Sequence, residues 1–315
     1  MEQVSFEGQS VVVTGAGSGL GRSYALEIAR RGGNVVVNDL GGPVEGSGLS
    51  TVPSDRVVDE IRSAGGSAVA SYDDVSSPAG GRRIIETALD NFRRIDAVVA
   101  NAGNFRSANF EHLTADDLHS LMAVHIGGSW NVSQAAWPHM KLQGYGRLVF
   151  TSSSVGMFGT RNLTAYGAAK GGVMGLMHNL SCEGAANGIV CNAIMPNAIT
   201  RMTESAGESD HGDNTWSSQV VATLDPSFAT GLATFLASSA CGTSHGLYSS
   251  LGGRVARTFI GVTKGHQGSR SEPTSADEIA AHWKEICDDR CGYGIPLSVA
   301  DEYRYVVAGD ALLPD

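Results

Sequence analysis

The feature that most constrains the fold is a glycine-rich turn between an apolar run and a helical segment near the start of the chain. The segment TGAGSGLG, residues 14–21, directly follows three valines and precedes a stretch with apolar residues at helical spacing. Glycines let the backbone approach a pyrophosphate closely, and the start of a helix offers free N–H groups and a positive dipole end. A strand, a glycine turn and a helix in this order predict a dinucleotide site.

A second apolar run predicts which dinucleotide is bound. Residues 35–37 are all valine, and the run ends in Asn38 and Asp39, eighteen residues after Gly21. A carboxylate at this place accepts hydrogen bonds from the adenosine ribose and repels a 2′-phosphate. We therefore expect NAD rather than NADP as the cofactor.

The remaining apolar runs predict the fold class. Short runs at residues 67–70, 97–99, 148–150, 189–194 and 246–248 are mostly separated by segments of helix length. Alternating strands and helices indicate an α/β fold with a Rossmann-type, doubly wound parallel sheet and helices on both faces. Thr114 and Asp117 form a predicted capping box, which opens a helix running towards Trp137 and Pro138.

Length and composition limit the kinds of partner. With 315 residues, we expect one domain over residues 1–253 and an extension over 254–315 that packs on the same domain or on a neighbouring subunit. The net charge of −10 argues against nucleic acid and anionic membranes as partners. The first ten residues lack a secretion signal and no run is long enough to span a bilayer, so we expect a soluble, cytoplasmic protein.

Cysteines and loops add weaker signals. Five scattered cysteines indicate no disulfide framework, and the spacing of Cys287, Cys291 and His282 matches no zinc signature, so we expect no metal. Residues 41–53 form a polar loop that is either a binding loop or a surface insertion. Residues 203–216 are polar and aperiodic, and we interpret them as a substrate lid or as plain surface disorder.

Tyr166 and Lys170 are the candidate pair for proton transfer. Their i,i+4 spacing places them on one face of a helix. A tyrosine ordinarily ionises near pH 10, and a neighbouring ammonium favours the phenolate. The pair therefore predicts a base for an alcohol proton, although the same spacing also occurs as a simple surface pair.

Four motifs in order make the chain resemble the short-chain dehydrogenase/reductases. They are the glycine turn, Asn101-Ala102-Gly103, Ser153, and Tyr166 with Lys170, and Ser153 lies thirteen residues before Tyr166 as the family pattern requires. The resemblance implies that Tyr166 is the general acid/base, that Lys170 holds the nicotinamide ribose, and that Ser153 binds the substrate oxygen. It also implies cofactor contacts at Gly15, Ser18, Gly19, Leu20, Asp39, Asp74, Asn101, Ala102, Gly103, Tyr166, Lys170 and Pro196, with Asp73 as a substitute for Asp74.

Within that family the chain is similar to the (3R)-hydroxyacyl-CoA dehydrogenase units, which also act as 17β-hydroxysteroid dehydrogenases. Matching segments include residues 36–42, 145–147, 151–153, 196–198 and 283–288, so the similarity reaches into the extension. It implies a 3-hydroxyacyl-CoA substrate, with or without a sterol side chain. The hydratase and lipid-carrier domains of such relatives do not follow in this sequence, which favours a stand-alone dehydrogenase acting as a homodimer or homotetramer.

One departure and two alternatives stay open. The fourth family position, commonly asparagine, is His125, which either takes part in catalysis or is a packed core histidine. The substrate is alternatively a free hydroxysteroid or another alcohol. A non-catalytic NAD-binding sensor is the remaining alternative, since a fold can be kept after turnover is lost.

Overall fold

The core of the protein is an eight-stranded sheet. The computed structural model describes residues 3–42, 50–196 and 224–308. The strands are β1 (Ser10–Thr14), β2 (Asn34–Asn38), β3 (Ser67–Ser71), β4 (Ala97–Ala100), β5 (Gly146–Thr151), β6 (Ile189–Pro196), β7 (Gly246–Leu251) and β8 (Arg254–Thr258). Their order is β3-β2-β1-β4-β5-β6-β7-β8, and the pairings from β3 to β7 are all parallel. The predicted doubly wound parallel sheet is confirmed.

Helices follow the strands in alternation. They are α1 (Gly19–Arg30), α2 (Val52–Ser63), α3 (Pro78–Phe92), α4 (Ala115–Met122), α5 (Gly128–Gln143), α6 (Ser154–Phe158), α7 (Thr164–Gly184) and α8 (Ser227–Ala237). Side chains of α1, α2 and α8 share one buried cluster, and those of α3, α5 and α7 share a second. Two such clusters show that helices cover both faces of the sheet.

The valine run of β1 shows why this sheet needs continuously apolar strands. Val11 and Val13 belong to the cluster with α1 and α2, whereas Val12 belongs to the cluster with α3 and α5. Successive side chains of a strand point to opposite faces, so both faces must be apolar when both are covered. All three valines are fully buried.

The strand order sets the position of the ligand crevice. From β1 the chain winds outward through β2 and β3 on one side, and through β4 to β7 on the other. Ligands of such sheets bind outside the carboxyl ends of the strands, where the order reverses. The segments that leave β1, β2, β4 and β5 therefore converge on one crevice.

The helix predicted from the capping box differs from the observed structure. Thr114 and Asp117 do form a reciprocal capping box at the start of α4. However, α4 ends at Met122, and a π-helical turn over Ala123–Gly127 separates it from α5. Helical structure therefore does run from the capping box past Trp137 and Pro138, as predicted, but with a π turn whose extra residue the periodicity does not reveal. Pro138 lies inside α5 rather than at its end.

Contacts divide the chain into two units, Met1–Arg257 and Thr258–Asp315. The second unit contains a short antiparallel pair, β9 (Val262–Thr263) with β10 (Tyr293–Gly294). It also contains α9 (Ala276–Ala281), α10 (Trp283–Ile286) and α11 (Val299–Ala308). In the described ranges of both units, every helix is too short or too polar to cross a bilayer.

Candidate active site

The glycine turn after β1 forms a cradle that side chains would fill. Gly15 has a φ of +64°, and a Cβ built there would lie 2.8 Å from the Cα of Ala102. A Cβ on Gly21 would lie 2.2 Å from the carbonyl oxygen of Gly15. Both positions therefore require glycine, one for its backbone conformation and both for space. Ser18 occupies the N-cap position of α1, and Gly19 and Leu20 begin its first turn, so the start of the helix faces the crevice as a dinucleotide requires.

Asp39 lies beside this turn, directly after β2. Its Oδ2 accepts a hydrogen bond from the backbone N–H of Gly17 at 2.8 Å, and its Oδ1 accepts one from Gly41 at 2.7 Å. The carboxylate is thus held at the edge of the cradle by two backbone donors. A fixed negative charge at this place fits a ribose diol and disfavours a 2′-phosphate.

Thr14 and Asn101 join the ends of β1 and β4. The Thr14 hydroxyl accepts hydrogen bonds from the N–H groups of Asn101 and Ala102, both at 3.0 Å. The Asn101 amide donates to the carbonyls of Thr14 at 3.1 Å and Gly15 at 3.3 Å. These bonds fix the glycine turn against residues 101–103, so in this structure the Asn101 amide acts on the backbone of the cradle.

Asp73 and Asp74, the two candidates for an adenine contact, are both engaged in local bonds. Asp74 accepts from the backbone N–H and the hydroxyl of Ser76, each at 2.8 Å. Asp73 pairs with Arg83 at 2.5 Å. The Asn38 amide donates to the Asp73 carbonyl at 3.0 Å, which ties this turn to the end of β2.

Ser153 and Tyr166 meet at the carboxyl end of β5. Ser153 is the N-cap of α6, where its Oγ accepts from the Val155 N–H at 3.2 Å. Its side chain also makes a hydrogen bond with that of Tyr166. The Tyr166 ring is partly exposed, and the Phe105 ring packs edge-on against it with centroids 5.3 Å apart. The two hydroxyls of Ser153 and Tyr166, bordered by the apolar ring of Phe105, can hold one substrate oxygen.

Lys170 lies one helical turn after Tyr166 and is 4% exposed. Its Nζ donates to the Thr151 carbonyl at 2.7 Å and lies 5.6 Å from the centroid of the Tyr166 ring. The predicted pair on one helix face is therefore present, with the ammonium anchored to the end of β5.

The expected electrostatics of the pair were wrong. Burial raises the pKa of Tyr166 to about 12, and the hydrogen bond with Ser153 only partly opposes this rise. Burial also lowers the pKa of Lys170 to about 7. The i,i+4 spacing indicated proximity correctly, but burial, which disfavours the charged form of each group, sets the direction of both pKa shifts. Without ligand, Tyr166 is a neutral phenol at physiological pH.

His125 lies within the π-helical turn and is 2% exposed. Its Nε2 hydrogen bonds to the Asn104 carbonyl at 2.9 Å, and its ring lies edge-on to Tyr166 with centroids 5.4 Å apart. A Cβ on Gly103 would lie 2.5 Å from the imidazole Cε1, so the histidine packs directly beneath residues 103–104. Burial, and then the charge of Lys170, hold the pKa of His125 well below its usual range.

The remaining predicted features are Pro196 and two loops. Pro196 ends β6 at the same edge of the sheet. The predicted lid at residues 203–216 and most of the loop at 41–53 lie outside the described residues.

Sequence reasoning missed Thr14, Thr151, Asn104 and Phe105. Thr14 and Thr151 are the last residues of β1 and β5, and that position was the one available signal. Phe105 and Asn104 follow the Asn101-Ala102-Gly103 motif, but their partners are distant in sequence. No sequence pattern predicts those contacts.

The sequence is similar to those of known dehydrogenases. A family model described as short chain dehydrogenase matches residues 9–211. Peroxisomal multifunctional enzyme type 2 of Mus musculus is 41% identical over 288 residues, covering 90% of this chain and 37% of that protein. A protein of Mycobacterium tuberculosis described as a short-chain type dehydrogenase/reductase is 41% identical over 279 residues, covering 88% of this chain and 93% of that protein.

A solved structure shows the same likeness. Full-length peroxisomal multifunctional enzyme type 2 from Drosophila melanogaster matches with a TM-score of 0.78 and 29% identity, over 97% of this chain and 50% of that chain. This chain thus spans about a third to a half of the multifunctional proteins that it matches.

Proposed function

The chain belongs to the short-chain dehydrogenase family and is an oxidoreductase, and from this premise we propose that it is an NAD-dependent dehydrogenase of 3-hydroxyacyl-CoA thioesters. The observation that carries the proposal is the meeting of Ser153, Tyr166 and Lys170 at the end of β5, beside the glycine cradle. Members of this family use a nicotinamide cofactor. The substrate class rests on the similarity of the sequence to (3R)-hydroxyacyl-CoA dehydrogenases.

NAD, rather than NADP, is supported by Asp39. Its carboxylate lies 2.8 Å from the Gly17 nitrogen, at the edge of the turn that would hold the pyrophosphate. A phosphate on the ribose would meet this negative charge at close range. Ser18, Leu20, Asn101, Ala102 and Pro196 would line the bound cofactor, as the family pattern suggests, and Asp74 would lie near adenine.

The reacting groups have defined tasks in this proposal. When bound, oxidised NAD would supply the hydride acceptor and a positive charge in the crevice. Tyr166, as its phenolate, would accept the proton of the substrate hydroxyl, Ser153 would donate a hydrogen bond to the oxygen that becomes a carbonyl, and Lys170 would bind the nicotinamide ribose. In the reverse direction the neutral phenol of Tyr166 would protonate the carbonyl oxygen.

His125 acts in this proposal as a positioning residue. Its Nε2–H fixes the Asn104 carbonyl, its ring fills the space beneath Gly103, and its edge supports the Tyr166 ring. With the pKa of His125 held so low, the imidazole stays neutral across the physiological range. It therefore shapes both the cofactor loop and the phenol without changing its own charge.

Assembly and location are proposals as well. We expect a homodimer or homotetramer, with the helices that carry His125 and Tyr166 at the subunit interface, and light scattering of the purified protein measures the mass directly. The sequence favours a cytoplasmic enzyme, whereas the mouse and fly relatives are named as peroxisomal. Fractionation of the source cells decides between these locations.

A substrate panel tests the function. Purified protein with NAD should reduce the cofactor in the presence of (3R)-hydroxyacyl-CoA esters, with a higher kcat/KM than for hydroxysteroids or simple alcohols, and NADP should replace NAD poorly. The Tyr166→Phe variant serves as the control for contaminating dehydrogenases. Turnover of free hydroxysteroids alone would favour the alternative substrate, and tight NAD binding without turnover of any alcohol would favour the sensor.

A further inference from the structure

The second unit contains a group of side chains suited to a transition-metal ion. His266, His282 and Glu285 each present one ligand atom, and these three atoms lie within 4.8 Å of one another. Among the described residues, this is the group in which three histidine, cysteine or carboxylate side chains have ligand atoms that all lie this close together. We propose that His266, His282 and Glu285 bind one Zn²⁺ ion.

Local structure brings the three residues together. Glu278, His282 and Glu285 follow each other at spacings of four and three residues along α9 and α10, so they share one face. His266 comes from the preceding loop, directly after Gly265, whose φ of +67° turns the backbone. The Ser275 hydroxyl caps α9 by accepting from the Glu278 N–H at 3.1 Å, which fixes the start of this face.

The ligand atoms lie close to the spacing that a tetrahedral ion needs. Glu285 Oε2 is hydrogen bonded to His282 Nδ1 at 2.9 Å and lies 3.8 Å from His266 Nδ1. Zinc bonds of 2.0–2.1 Å in a tetrahedron separate ligand atoms by about 3.4 Å, so the ion would replace the hydrogen bond between His282 and Glu285 and draw His266 closer. Imidazole and carboxylate are both ordinary zinc ligands, and a water would complete four-coordination.

Glu278 provides the supporting contact that metal-binding histidines usually have. Its Oε1 lies 3.1 Å from His266 Nε2. When Nε2–H donates to Glu278, Nδ1 carries the lone pair and faces the carboxylate of Glu285. In this tautomer the two acceptor atoms face each other and can bind the same cation. A Zn²⁺ ion would also balance the two negative charges of Glu278 and Glu285.

Binding of an ion also requires the stacked rings of His266 and His282 to separate. The rings of His266 and His282 stack with centroids 3.7 Å apart and an angle of 14° between planes. An ion lies in the plane of each ring that binds it, so the stacked rings must open. His282 is the ring that can turn, because its side chain is 40% exposed and it separates α9 from α10, whereas that of His266 is only 15% exposed.

Calorimetry of the untagged full chain with Zn²⁺ alone tests the proposal. We expect one ion per chain at micromolar affinity, and a loss of at least about 10-fold in affinity for His266→Ala and for His282→Ala. Glu278→Gln should weaken binding by about 10-fold although it removes no ligand. His112→Ala and Glu272→Gln, which change exposed side chains elsewhere, should bind like the wild type.

Co²⁺ gives an independent reading of geometry. Four-coordinate Co²⁺ should produce visible absorption bands in the wild type that are absent from the His266→Ala/His282→Ala double variant, with circular dichroism confirming that the variant is folded. The proposal fails if the wild type binds no Zn²⁺ in the micromolar range, or if the double variant binds as tightly.

Discussion

The two halves of the crevice are built on different principles. The proposed nucleotide half consists of the glycine turn, Asp39 and residues 101–103, and its polar groups are joined by short bonds to backbone atoms. The proposed catalytic half consists of Ser153, Tyr166, Lys170 and His125, and burial displaces the pKa of the last three from their ordinary values. The first half is organised for stability before any ligand binds, and the second holds groups in unfavourable surroundings, as functional sites often do.

The largest effect is expected for Tyr166→Phe, a variant that distinguishes the chemical step from nucleotide binding. Tyr166→Phe should lower kcat by about 10²–10⁴-fold, because it removes the only group placed to exchange the substrate proton in the proposed mechanism. The affinity for NAD should stay within about threefold, since the cradle is untouched. Stopped-flow turnover and calorimetry measure the two quantities. Tyr303→Phe, at an exposed tyrosine, is the matched control.

A large loss of NAD affinity in Tyr166→Phe would break the comparison. It would show that the phenol belongs to the nucleotide half as well, and the two halves would then form one cooperative site.

Lys170→Met should stabilise the protein while it abolishes turnover. The folded protein lowers the pKa of Lys170 from 10.5 to about 7, so below pH 7 it holds a buried charge at full cost. Removing that charge should raise the free energy of unfolding by roughly 1–4 kcal/mol, less the hydrogen bond to Thr151. As pH rises from 7 towards 10, the folded wild type loses its proton first, so the wild type gains stability and the advantage of the variant shrinks.

Urea unfolding at about pH 6 and about pH 9 measures this difference. Lys141→Met removes an exposed ammonium from α5 and should change stability little at either pH. An advantage of Lys170→Met that does not depend on pH would indicate a packing effect instead.

The sequence indicated the geometry of the proposed nucleotide half more fully than the surroundings of the proposed catalytic half. The glycine turn, Asp39 and the strands depend on local pattern, since a strand end and a helix start are read from neighbouring residues. The proximity of Tyr166 and Lys170 also follows from their spacing in the sequence. The direction of their pKa shifts does not, because the burial of both side chains depends on Phe105, Thr151 and His125, which come from other segments of the chain.

The edge of the sheet gives a second example of this limit. β8 pairs with β7 after a turn of two glycines with positive φ, Gly252 and Gly253. The extension predicted from the sequence begins at residue 254, but residues 254–258 form β8 and belong to the sheet. The sequence of a short segment does not show whether the segment forms an edge strand or lies in an extension, because that depends on its partner strand.

Asp39→Asn should change cofactor preference by an intermediate amount. The neutral amide no longer repels a 2′-phosphate, so the ratio of NAD to NADP affinity should fall about 10- to 100-fold. One of the two backbone donors at Gly17 and Gly41 should lose its acceptor, which predicts a small loss of stability as well. Calorimetry with both cofactors provides the ratio, and Asp59→Asn on the exposed face of α2 is the control.

An unchanged ratio would mean that Asp39 only supports the turn. In that case the nucleotide half would be specified by backbone geometry alone, which would sharpen the contrast with the catalytic half.

His125→Asn should have the smallest effect on turnover and tests the boundary between the halves. Asparagine is too short to fill the space beneath Gly103 and still reach the Asn104 carbonyl, so both the cofactor loop and the Tyr166 ring lose support. We expect kcat to fall by up to about 10-fold with a smaller rise in KM for NAD. His139→Asn on α5 is the matched control.

The pH dependence of kcat separates positioning from proton transfer at His125. Because burial holds the pKa of His125 far below its usual range, a positioning imidazole adds no ionisation to the profile. The variant should therefore show the same profile at lower amplitude. Loss of a limb from the profile would show that His125 carries a proton, and the buried Nδ1, which has no hydrogen-bond partner in the described structure, would be its point of transfer. The division of the crevice would then no longer hold, because one side chain would support the cofactor loop and take part in the chemistry.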